Sequence, residues 1–223
     1  SRCGPGSVTL SVLFGSGNSY WYDALTGGNL VAGPTNSFVT PSLSTTTTYY
    51  IEGELNGCIS ASRQAITATI NPIPVASITG TNLICEGTNT IFTASGGATY
   101  LWNTAATTAA INVSTAGTYT VTVTNAQGCT ASSTRTLTLI DRPVVTITGS
   151  TSICLGSTTS LSPTTGGTWV SNNPTIASVN NSGIVTSLLA GNATVTFTDN
   201  ITGCASNATA VVTVNPLPES APC

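Results

Sequence analysis

The sequence contains no lysine, no histidine and no methionine, and charged side chains make up only 5% of its 223 residues. Solvent-facing helices are built largely from Glu, Lys, Arg and Gln, so this composition offers little from which to build them. Threonine, valine, isoleucine and tyrosine, which suit the half-buried surface of a sheet, are abundant instead. The composition therefore predicts an all-β protein.

The missing residues also restrict the chemistry that the chain can perform. Catalysis needs a placed acid, base, nucleophile or metal, and the absence of histidine and lysine removes the usual bases beside a serine nucleophile. Glu52 and Glu54 are the closest pair of carboxylates, and a solvated strand edge explains them better than a glycosidase pair. Asp23, Asp141 and Asp199 are isolated and fit turns better than a calcium-binding loop. We expect no enzymatic activity, no cofactor and no metal.

Positive charge is scarce, because the four cationic side chains are Arg2, Arg63, Arg135 and Arg142. Nucleic-acid binding needs clustered lysine and arginine, and four scattered arginines form no such stripe. No apolar run approaches the 18 or so residues that span a bilayer. We therefore expect neither a nucleic-acid partner nor insertion into a membrane. The sequence opens without methionine or a signal peptide, which predicts a segment of a longer protein.

An internal repeat organises the sequence. Three threonine-rich alternating runs end in Gly-Cys, at 49–58, 118–129 and 193–204. A second alternating run follows each of them and stops at a proline, namely Pro72, Pro143 or Pro216. Apolar side chains alternate with hydroxyls in these runs, which places one face inward and one face outward. Each repeat therefore ends in two sandwich-type strands.

The repeat predicts a tandem architecture. Short strands separated by Gly, Asn, Pro and Ser clusters are typical of β-sandwiches, and about 70 residues per repeat permit roughly seven strands. We predict three tandem Ig-like β-sandwich domains, followed by a linker and the start of a further module: 1–72, 73–142, 143–216 and 217–223. Proline stiffens the joints between them, so we expect an extended head-to-tail rod. Each domain has one tryptophan as its expected core anchor: Trp21, Trp102 and Trp169.

Seven cysteines follow the repeat, with two in each predicted domain and Cys223 left over. Pairing within domains predicts the disulfides Cys3–Cys58, Cys85–Cys129 and Cys154–Cys204. Such bonds imply an oxidising compartment. Zinc binding is a poor alternative, because the sequence has no C-x-x-C motif and no histidine.

A chained pairing is the alternative for the cysteines. It joins Cys58 to Cys85, Cys129 to Cys154 and Cys204 to Cys223, and it leaves Cys3 free. We favour pairing within domains, because an extended rod would hold the chained thiols apart. Cys223 stands where the first cysteine of a further module is expected, and an intermolecular disulfide is its alternative role.

Aromatic residues suggest a binding surface on the first predicted domain, where Tyr20, Trp21 and Tyr22 are consecutive. If Trp21 points inward, Tyr20 and Tyr22 share the outer face about 7 Å apart, a spacing that suits stacking on sugar rings. Covering a sheet face or a contact between modules is the alternative. The two tyrosines are therefore a candidate glycan-binding platform.

Three stretches resemble known families. Residues 21–28 (WYDALTGG) and 40–50 (TPSLSTTTTYY) resemble the Ig-like modules of large surface proteins in gliding, type-IX-secreting bacteria. Residues 75–142, with YLW at 100–102, are similar to a PKD-type domain. Residues 144–215, with WVSNNPTIASV at 169–179, are similar to the bacterial Ig-like domains of intimin-type adhesins. The resemblance implies spacers, adhesive arrays or filament segments.

These observations predict a non-catalytic structural or adhesive repeat segment, the stalk of an adhesin on the bacterial cell surface. Its expected partners are further modules of the same polypeptide. Two alternatives remain open at this point. One is a subunit of an extracellular filament, which low charge favours. The other is a set of carbohydrate-binding accessory modules of a secreted hydrolase, with surface glycans as partners.

Overall fold

Every regular element is a β-strand in the computed structural model, which describes residues 1–13, 17–206 and 210–218. The prediction of an all-β fold is confirmed. Within the described residues, strand pairing separates the strands into three successive groups, each with its own sheets. We call these groups the first, second and third sandwich.

The strands follow one another along the chain. The first sandwich contains β1 (Arg2–Cys3), β2 (Thr9–Ser11), β3 (Asn18–Tyr22), β4 (Leu30–Ala32), β5 (Ser37–Val39), β6 (Thr47–Leu55), β7 (Cys58–Ile59), β8 (Gln64–Ala68) and β9 (Ile70–Asn71). The second sandwich contains β10 (Ser77–Thr79), β11 (Leu83–Cys85), β12 (Thr90–Ser95), β13 (Thr99–Trp102), β14 (Ala110–Val113), β15 (Gly117–Thr124) and β16 (Thr130–Ile140). The third sandwich contains β17 (Thr146–Ile147), β18 (Ser152–Cys154), β19 (Thr158–Ser162), β20 (Gly167–Ser171), β21 (Ala177–Val179), β22 (Ile184–Ser187), β23 (Gly191–Asp199) and β24 (Ala210–Asn215).

By packing, the chain divides into two compact units. Unit 1 consists of Ser1–Thr79, Phe92–Ile111 and Tyr119–Arg135. Unit 2 consists of Gly80–Ile91, Asn112–Thr118 and Thr136–Cys223. Unit 1 therefore holds the first sandwich, unit 2 holds the third, and the second contributes residues to both. The predicted domain boundaries after residues 72, 142 and 216 stay a prediction.

The core of the first sandwich forms where the sequence alternates. Strand β6 places every second residue inward, and it pairs antiparallel with both β3 and β8. Trp21 on β3 lies opposite Ile51 and is fully buried. Its ring contacts Phe38, with 5.5 Å between the ring centroids. Burial of these side chains supplies most of the stabilisation of so small a sandwich.

The second and third sandwiches repeat this design. Trp102 is buried on β13 opposite Val121, and Trp169 is buried on β20 opposite Phe197. The ring centroids of Trp169 and Phe197 are 5.1 Å apart. All three tryptophans thus lie in hydrophobic cores and pack one sheet against another.

One parallel pairing recurs in all three sandwiches and fixes where the first cysteine of each lies. Strand β1 pairs parallel with β9, β11 with β16, and β18 with β24. These pairings set Cys3 opposite Asn71, Cys85 opposite Ile140, and Cys154 opposite Asn215. Each of these three cysteines, which we call the start cysteines, therefore lies at the end where its sandwich's last strand finishes.

Candidate functional site

The other three cysteines follow tight turns, and we call Cys58, Cys129 and Cys204 the turn cysteines. The glycine before each one has a positive φ, 79° at Gly57, 80° at Gly128 and 71° at Gly203. Glycine adopts this conformation without steric cost, which explains the repeated Gly-Cys pair. Each turn joins the last two long antiparallel runs of its sandwich, so the turn cysteine marks the point where the final run begins.

Polar side chains hold two of these turns in shape. The Asn125 Oδ1 atom accepts hydrogen bonds from the backbone N–H groups of Gln127 and Cys129, at 3.1 and 2.9 Å. The Asp199 Oδ1 atom accepts from the N–H groups of Ile201 and Thr202, at 2.9 and 2.7 Å. Hydrogen bonds from Thr202 lower the pKa of Asp199 below its ordinary value. Both turns therefore present a preformed loop with a cysteine at its end.

Within one sandwich, the start cysteine and the turn cysteine lie at opposite ends. In the third sandwich, Cys154 lies opposite Asn215, next to the residue that pairs with Gly191, whereas the backbone oxygen of Cys204 accepts a hydrogen bond from Asp199. Gly191 and Asp199 are the two ends of the nine-residue strand β23, which is about 26 Å long. Disulfides require Cα atoms within about 7 Å of each other. Cys154 and Cys204 therefore cannot pair.

The first sandwich has the same arrangement. Cys58 lies opposite Leu55 at one end of the nine-residue strand β6, and Thr47 at the other end lies opposite Ala68. Cys3 lies beyond that second end, opposite Asn71. The two cysteines are therefore separated by about 26 Å or more along the sheet.

The disulfides instead join consecutive sandwiches. Cys3 of the first sandwich is bonded to Cys129 of the second, with Cα atoms 5.5 Å apart, and this bond lies within unit 1. Cys85 of the second sandwich is bonded to Cys204 of the third, with Cα atoms 5.6 Å apart, and this bond lies within unit 2. In both cases a start cysteine meets the turn cysteine of the next sandwich.

The predicted pairing of Cys3 with Cys58, Cys85 with Cys129 and Cys154 with Cys204 is wrong. The physical reason is that a strand of at least nine residues separates the start cysteine from the turn cysteine of the same sandwich. The chained alternative is also wrong, because it assigns Cys85 and Cys129 to other partners. Cys58 and Cys154 are exposed and have no disulfide partner among the described residues, and Cys223 lies outside those residues.

Hydrogen bonds accompany the disulfides at both junctions. The Asn125 Nδ2 atom donates to the backbone oxygen of Pro72 at 2.7 Å, so the turn beside Cys129 also contacts the proline joint. The Arg142 side chain donates through Nε to the backbone oxygen of Glu86 at 2.6 Å and through Nη1 to that of Ala205 at 3.1 Å. Ala205 directly follows Cys204. Each junction thus combines one covalent bond with side-chain contacts to backbone carbonyls.

The candidate glycan platform on the first sandwich is partly covered. Tyr20 and Tyr22 are half-buried on the face opposite Trp21. The Arg63 guanidinium carbon lies 3.3 Å from the centre of the Tyr22 ring, and the Arg63 Nε atom forms an ion pair with Glu52 Oε2 at 3.3 Å. One face of Tyr22 is therefore occupied by a cation–π contact. Sugar stacking on Tyr20 and Tyr22 stays a prediction, and on Tyr22 only the ring face away from Arg63 is left for it.

The acidic side chains of this surface are engaged in local bonds. The Tyr20 hydroxyl donates to Glu54 Oε2 at 2.9 Å, and this hydrogen bond raises the pKa of Tyr20. The Asp23 carboxylate accepts from the backbone N–H and the side chain of Asn29, which lowers the pKa of Asp23. Across the described residues, no group of three His, Cys, Asp or Glu side chains has the geometry to hold a metal ion. That same part of the chain also contains no helix long and apolar enough to cross a membrane.

Two known families match parts of the sequence. Residues 1–72 match the family described as "Ig-like domain CHU_C associated", and residues 140–214 match the family described as "Bacterial Ig-like domain (group 2)". These matches confirm the resemblance noted for the first and last of the predicted domains. The PKD-type resemblance of the middle one stays a prediction. No curated protein gives a significant match.

The comparison with solved structures finds matches to several proteins, and those described here have TM-scores below 0.5. The bacterial integrin-binding protein invasin is 14% identical, with a TM-score of 0.40, and the alignment covers 95% of this chain and 56% of invasin. The insect immune protein hemolin is 13% identical, with a TM-score of 0.31 and coverages of 97% and 73%. A Ca²⁺-stabilized adhesin with which an Antarctic bacterium binds ice is 15% identical, with a TM-score of 0.33 and coverages of 96% and 70%.

Sheets, cores and family matches lead to the same classification. The predicted tandem of Ig-like sandwiches is confirmed by the all-β architecture and by the two matches at opposite ends of the sequence. The chain is a tandem Ig-like β-sandwich protein, and its first and last parts match the CHU_C-associated Ig-like family and the group 2 bacterial Ig-like family.

Proposed function

We propose that this chain is a spacer in the stalk of an extracellular bacterial surface protein, and that its disulfides carry tension across the joints between sandwiches. The single observation that supports this role is the pairing of start cysteines with the turn cysteines of the next sandwich. A disulfide within a sandwich would leave the backbone as the only covalent link at a joint. A disulfide between sandwiches gives each joint a second covalent link.

The same bonds support an extracellular location. Disulfides persist where the environment is oxidising, as outside the cell or on its surface. The Ig-like families that match the chain are consistent with a structural or adhesive protein in that location. A structural role also fits the local contacts that Glu52, Glu54 and Arg142 make.

The overlap of the two bonds limits how far the chain can be stretched. Cys3–Cys129 and Cys85–Cys204 enclose overlapping segments, so the shortest covalent path runs through residues 1–3, 85–129 and 204–223. This path has roughly 70 residues and extends to about 240 Å, whereas all 223 residues extend to about 780 Å. A pulling force therefore meets the disulfides well before the unfolded chain is fully extended.

Single-molecule pulling between the two termini tests this proposal. We expect the oxidised chain to reach a final contour length of about 240 Å, because both disulfides bypass the intervening residues. A variant with Cys3, Cys85, Cys129 and Cys204 all changed to serine should reach about 780 Å. The matched control carries Cys58→Ser and Cys154→Ser and should behave like the parent chain. An oxidised chain that extends far beyond 240 Å would contradict the proposed role.

A glycan-binding accessory role is the second candidate, and the half-buried pair Tyr20 and Tyr22 favours it. Retention of the chain on an immobilised polysaccharide, and loss of that retention in Tyr20→Ala, would support it. The stalk proposal does not depend on this result, because the tyrosines lie outside the disulfide junctions.

A further inference from the structure

The two exposed cysteines occupy the same positions as the bonded ones. In every sandwich, the residue after the start cysteine donates its backbone N–H to the carbonyl of the last strand's final residue. These bonds are Gly4 to Asn71 at 2.8 Å, Glu86 to Ile140 at 2.9 Å and Leu155 to Asn215 at 3.0 Å. Cys154 therefore lies in the backbone position in which Cys3 and Cys85 form disulfides.

Cys58 likewise lies in the same backbone position as the bonded turn cysteines. A glycine with a φ between 71° and 80° precedes Cys58, Cys129 and Cys204 alike. The bonded turn cysteines are only 1% and 0% exposed, whereas Cys58 is exposed. Leu55, which lies opposite Cys58, and the adjacent Ile59 are exposed apolar side chains. The turn at Cys58 thus presents the surface that the other two turns have covered.

The proline joint near Cys154 also matches the joint at a bonded junction. Asn71-Pro72-Ile73-Pro74 is echoed by Asn215-Pro216-Leu217-Pro218. In the first of these, the backbone oxygen of Pro72 accepts the hydrogen bond from Asn125 beside the bonded Cys129. The third sandwich therefore offers a start cysteine together with the same type of acceptor for an incoming turn.

We propose that Cys154 and Cys58 are complementary halves of an inter-sandwich disulfide of the same kind. Cys154 forms a disulfide with the turn cysteine of an adjoining Ig-like sandwich, and Cys58 forms a disulfide with the start cysteine of another. The partner is thus an Ig-like sandwich that presents the complementary cysteine, either in the same polypeptide or in a second copy of this chain. The inference is independent of the mechanical role, since it concerns pairing and not tension.

Bond formation follows ordinary thiol–disulfide exchange. A thiolate of one cysteine attacks a small disulfide oxidant such as oxidised glutathione, forms a mixed disulfide and releases one glutathione thiolate. The second cysteine thiolate attacks the protein sulfur of that mixed disulfide and releases the second glutathione thiolate. The two protein thiols are oxidised, the oxidant is reduced to two thiols, and the proton of each cysteine passes to a released thiolate.

A two-copy chain tests the proposal with a matched control. Residues 1–222 are followed directly by residues 3–223 of a second copy, so that Cys3 of the second copy takes the place of Cys223. In the forward variant, Cys58 of the first copy, Cys154 of the second and the remaining Cys223 are changed to serine. In the reversed variant, Cys154 of the first copy, Cys58 of the second and Cys223 are changed instead. Both variants have the same composition and keep one cysteine of each kind.

After oxidation with glutathione and digestion without reduction, mass spectrometry should find a Cys154–Cys58 peptide in most molecules of the forward variant. At low protein concentration the reversed variant should show it only at background, because within one molecule its start and turn cysteines belong to sandwiches in the wrong order. The Cys3–Cys129 and Cys85–Cys204 peptides report that each copy has folded. A folded forward variant without the cross-link, or equal cross-linking in both variants, would overturn the proposal.

A second arm identifies the source of the partner. The single 223-residue chain with Cys223→Ser is oxidised at low and at high concentration. Covalent oligomers linked through Cys154 and Cys58 at high concentration would show that a second copy supplies the partner. Cross-linking in the two-copy chain alone would assign the partner to the same polypeptide, and absence of the link from both arms contradicts the inference.

Discussion

At the residue scale, the three cores share one hydrogen bond, in which the indole N–H of the core tryptophan donates to a backbone carbonyl. Trp21 donates to Thr35 at 2.8 Å, Trp102 to Thr108 at 2.9 Å and Trp169 to Pro163 at 3.0 Å. A buried donor without a partner would cost free energy, so the loop carbonyl is part of the core. Each tryptophan therefore fixes a loop as well as filling the space between sheets.

Removal of one of these side chains should destabilise its sandwich. We expect Trp102→Ala to lower the free energy of unfolding by about 3–5 kcal/mol, the usual cost of truncating a large buried aromatic side chain. Leu101→Ala is the control on the same strand, because Leu101 is 54% exposed, and it should change the stability by no more than about 0.5 kcal/mol. Chemical denaturation followed by far-UV circular dichroism measures both. Equal effects of the two substitutions would mean that the indole is not an anchor.

Asp199 should give the third sandwich a pH-dependent contribution to stability. Hydrogen bonds in the turn lower the folded-state pKa of Asp199 below its ordinary value. Its contribution is therefore present above the ordinary carboxyl pKa and is lost as the pH falls through the lower folded-state pKa. Thermal unfolding measured between about pH 6 and pH 2 should show a steeper acid loss in the parent chain than in Asp199→Asn. Parallel pH profiles would contradict this assignment.

At the scale of the strand and the turn, the direction of one short strand decides the disulfide pattern. The strand that carries the start cysteine pairs parallel with the last strand of its sandwich. The start cysteine therefore lies at the end where the last strand finishes, while the turn cysteine lies at the other end. Sequence alternation predicted the strands and the inward tryptophans, since side-chain direction depends on local spacing. It could not predict the pairing, because spacing does not reveal the end of a sandwich at which each cysteine lies. The recognition of a parallel first-to-last strand pair would have excluded Cys154–Cys204.

The turn at Asn125 should protect the disulfide beside it. Asn125→Ala removes two hydrogen bonds within the turn and one to Pro72, each worth about 0.5–1.5 kcal/mol. We expect reduction of Cys3–Cys129 by dithiothreitol to become about tenfold faster, as a loss of about 1.4 kcal/mol in the barrier implies.

Two internal comparisons accompany that measurement. The Cys85–Cys204 bond of the same molecule should be reduced at an unchanged rate, because Asn125 does not contact it. Asn125→Asp keeps the acceptor for the turn and loses only the donor to Pro72, so it should have an intermediate effect. Unchanged reduction of Cys3–Cys129 in Asn125→Ala would show that the turn gives no protection.

At the scale of the whole molecule, the sequence predicts that proline-bearing joints keep the sandwiches in an extended row. Three sandwiches of about 35–40 Å each give a rod of roughly 110 Å, for which the radius of gyration is about 32 Å. A compact particle of 223 residues would have a radius of gyration of about 17 Å. Solution scattering distinguishes the two, and a value near 17 Å would contradict the stalk proposal.

The proposed stalk role depends above all on disulfides that join consecutive sandwiches, and the scarcity of cationic side chains makes these bonds easy to test. With no lysine in the chain, and Arg142 protected by Pro143, trypsin cuts the denatured chain after Arg2, Arg63 and Arg135. The main fragments are 3–63, 64–135 and 136–223. If cysteines paired within sandwiches, each fragment would contain both cysteines of its disulfide, and no disulfide would join two fragments.

Digestion without reduction, after free thiols have been alkylated, therefore separates the two arrangements directly. Cys3–Cys129 joins the first two fragments, and Cys85–Cys204 joins the second to the third. We expect one covalent species that contains all three fragments and that separates into the three fragments on reduction. Three separate fragments before reduction would contradict the proposed stalk role.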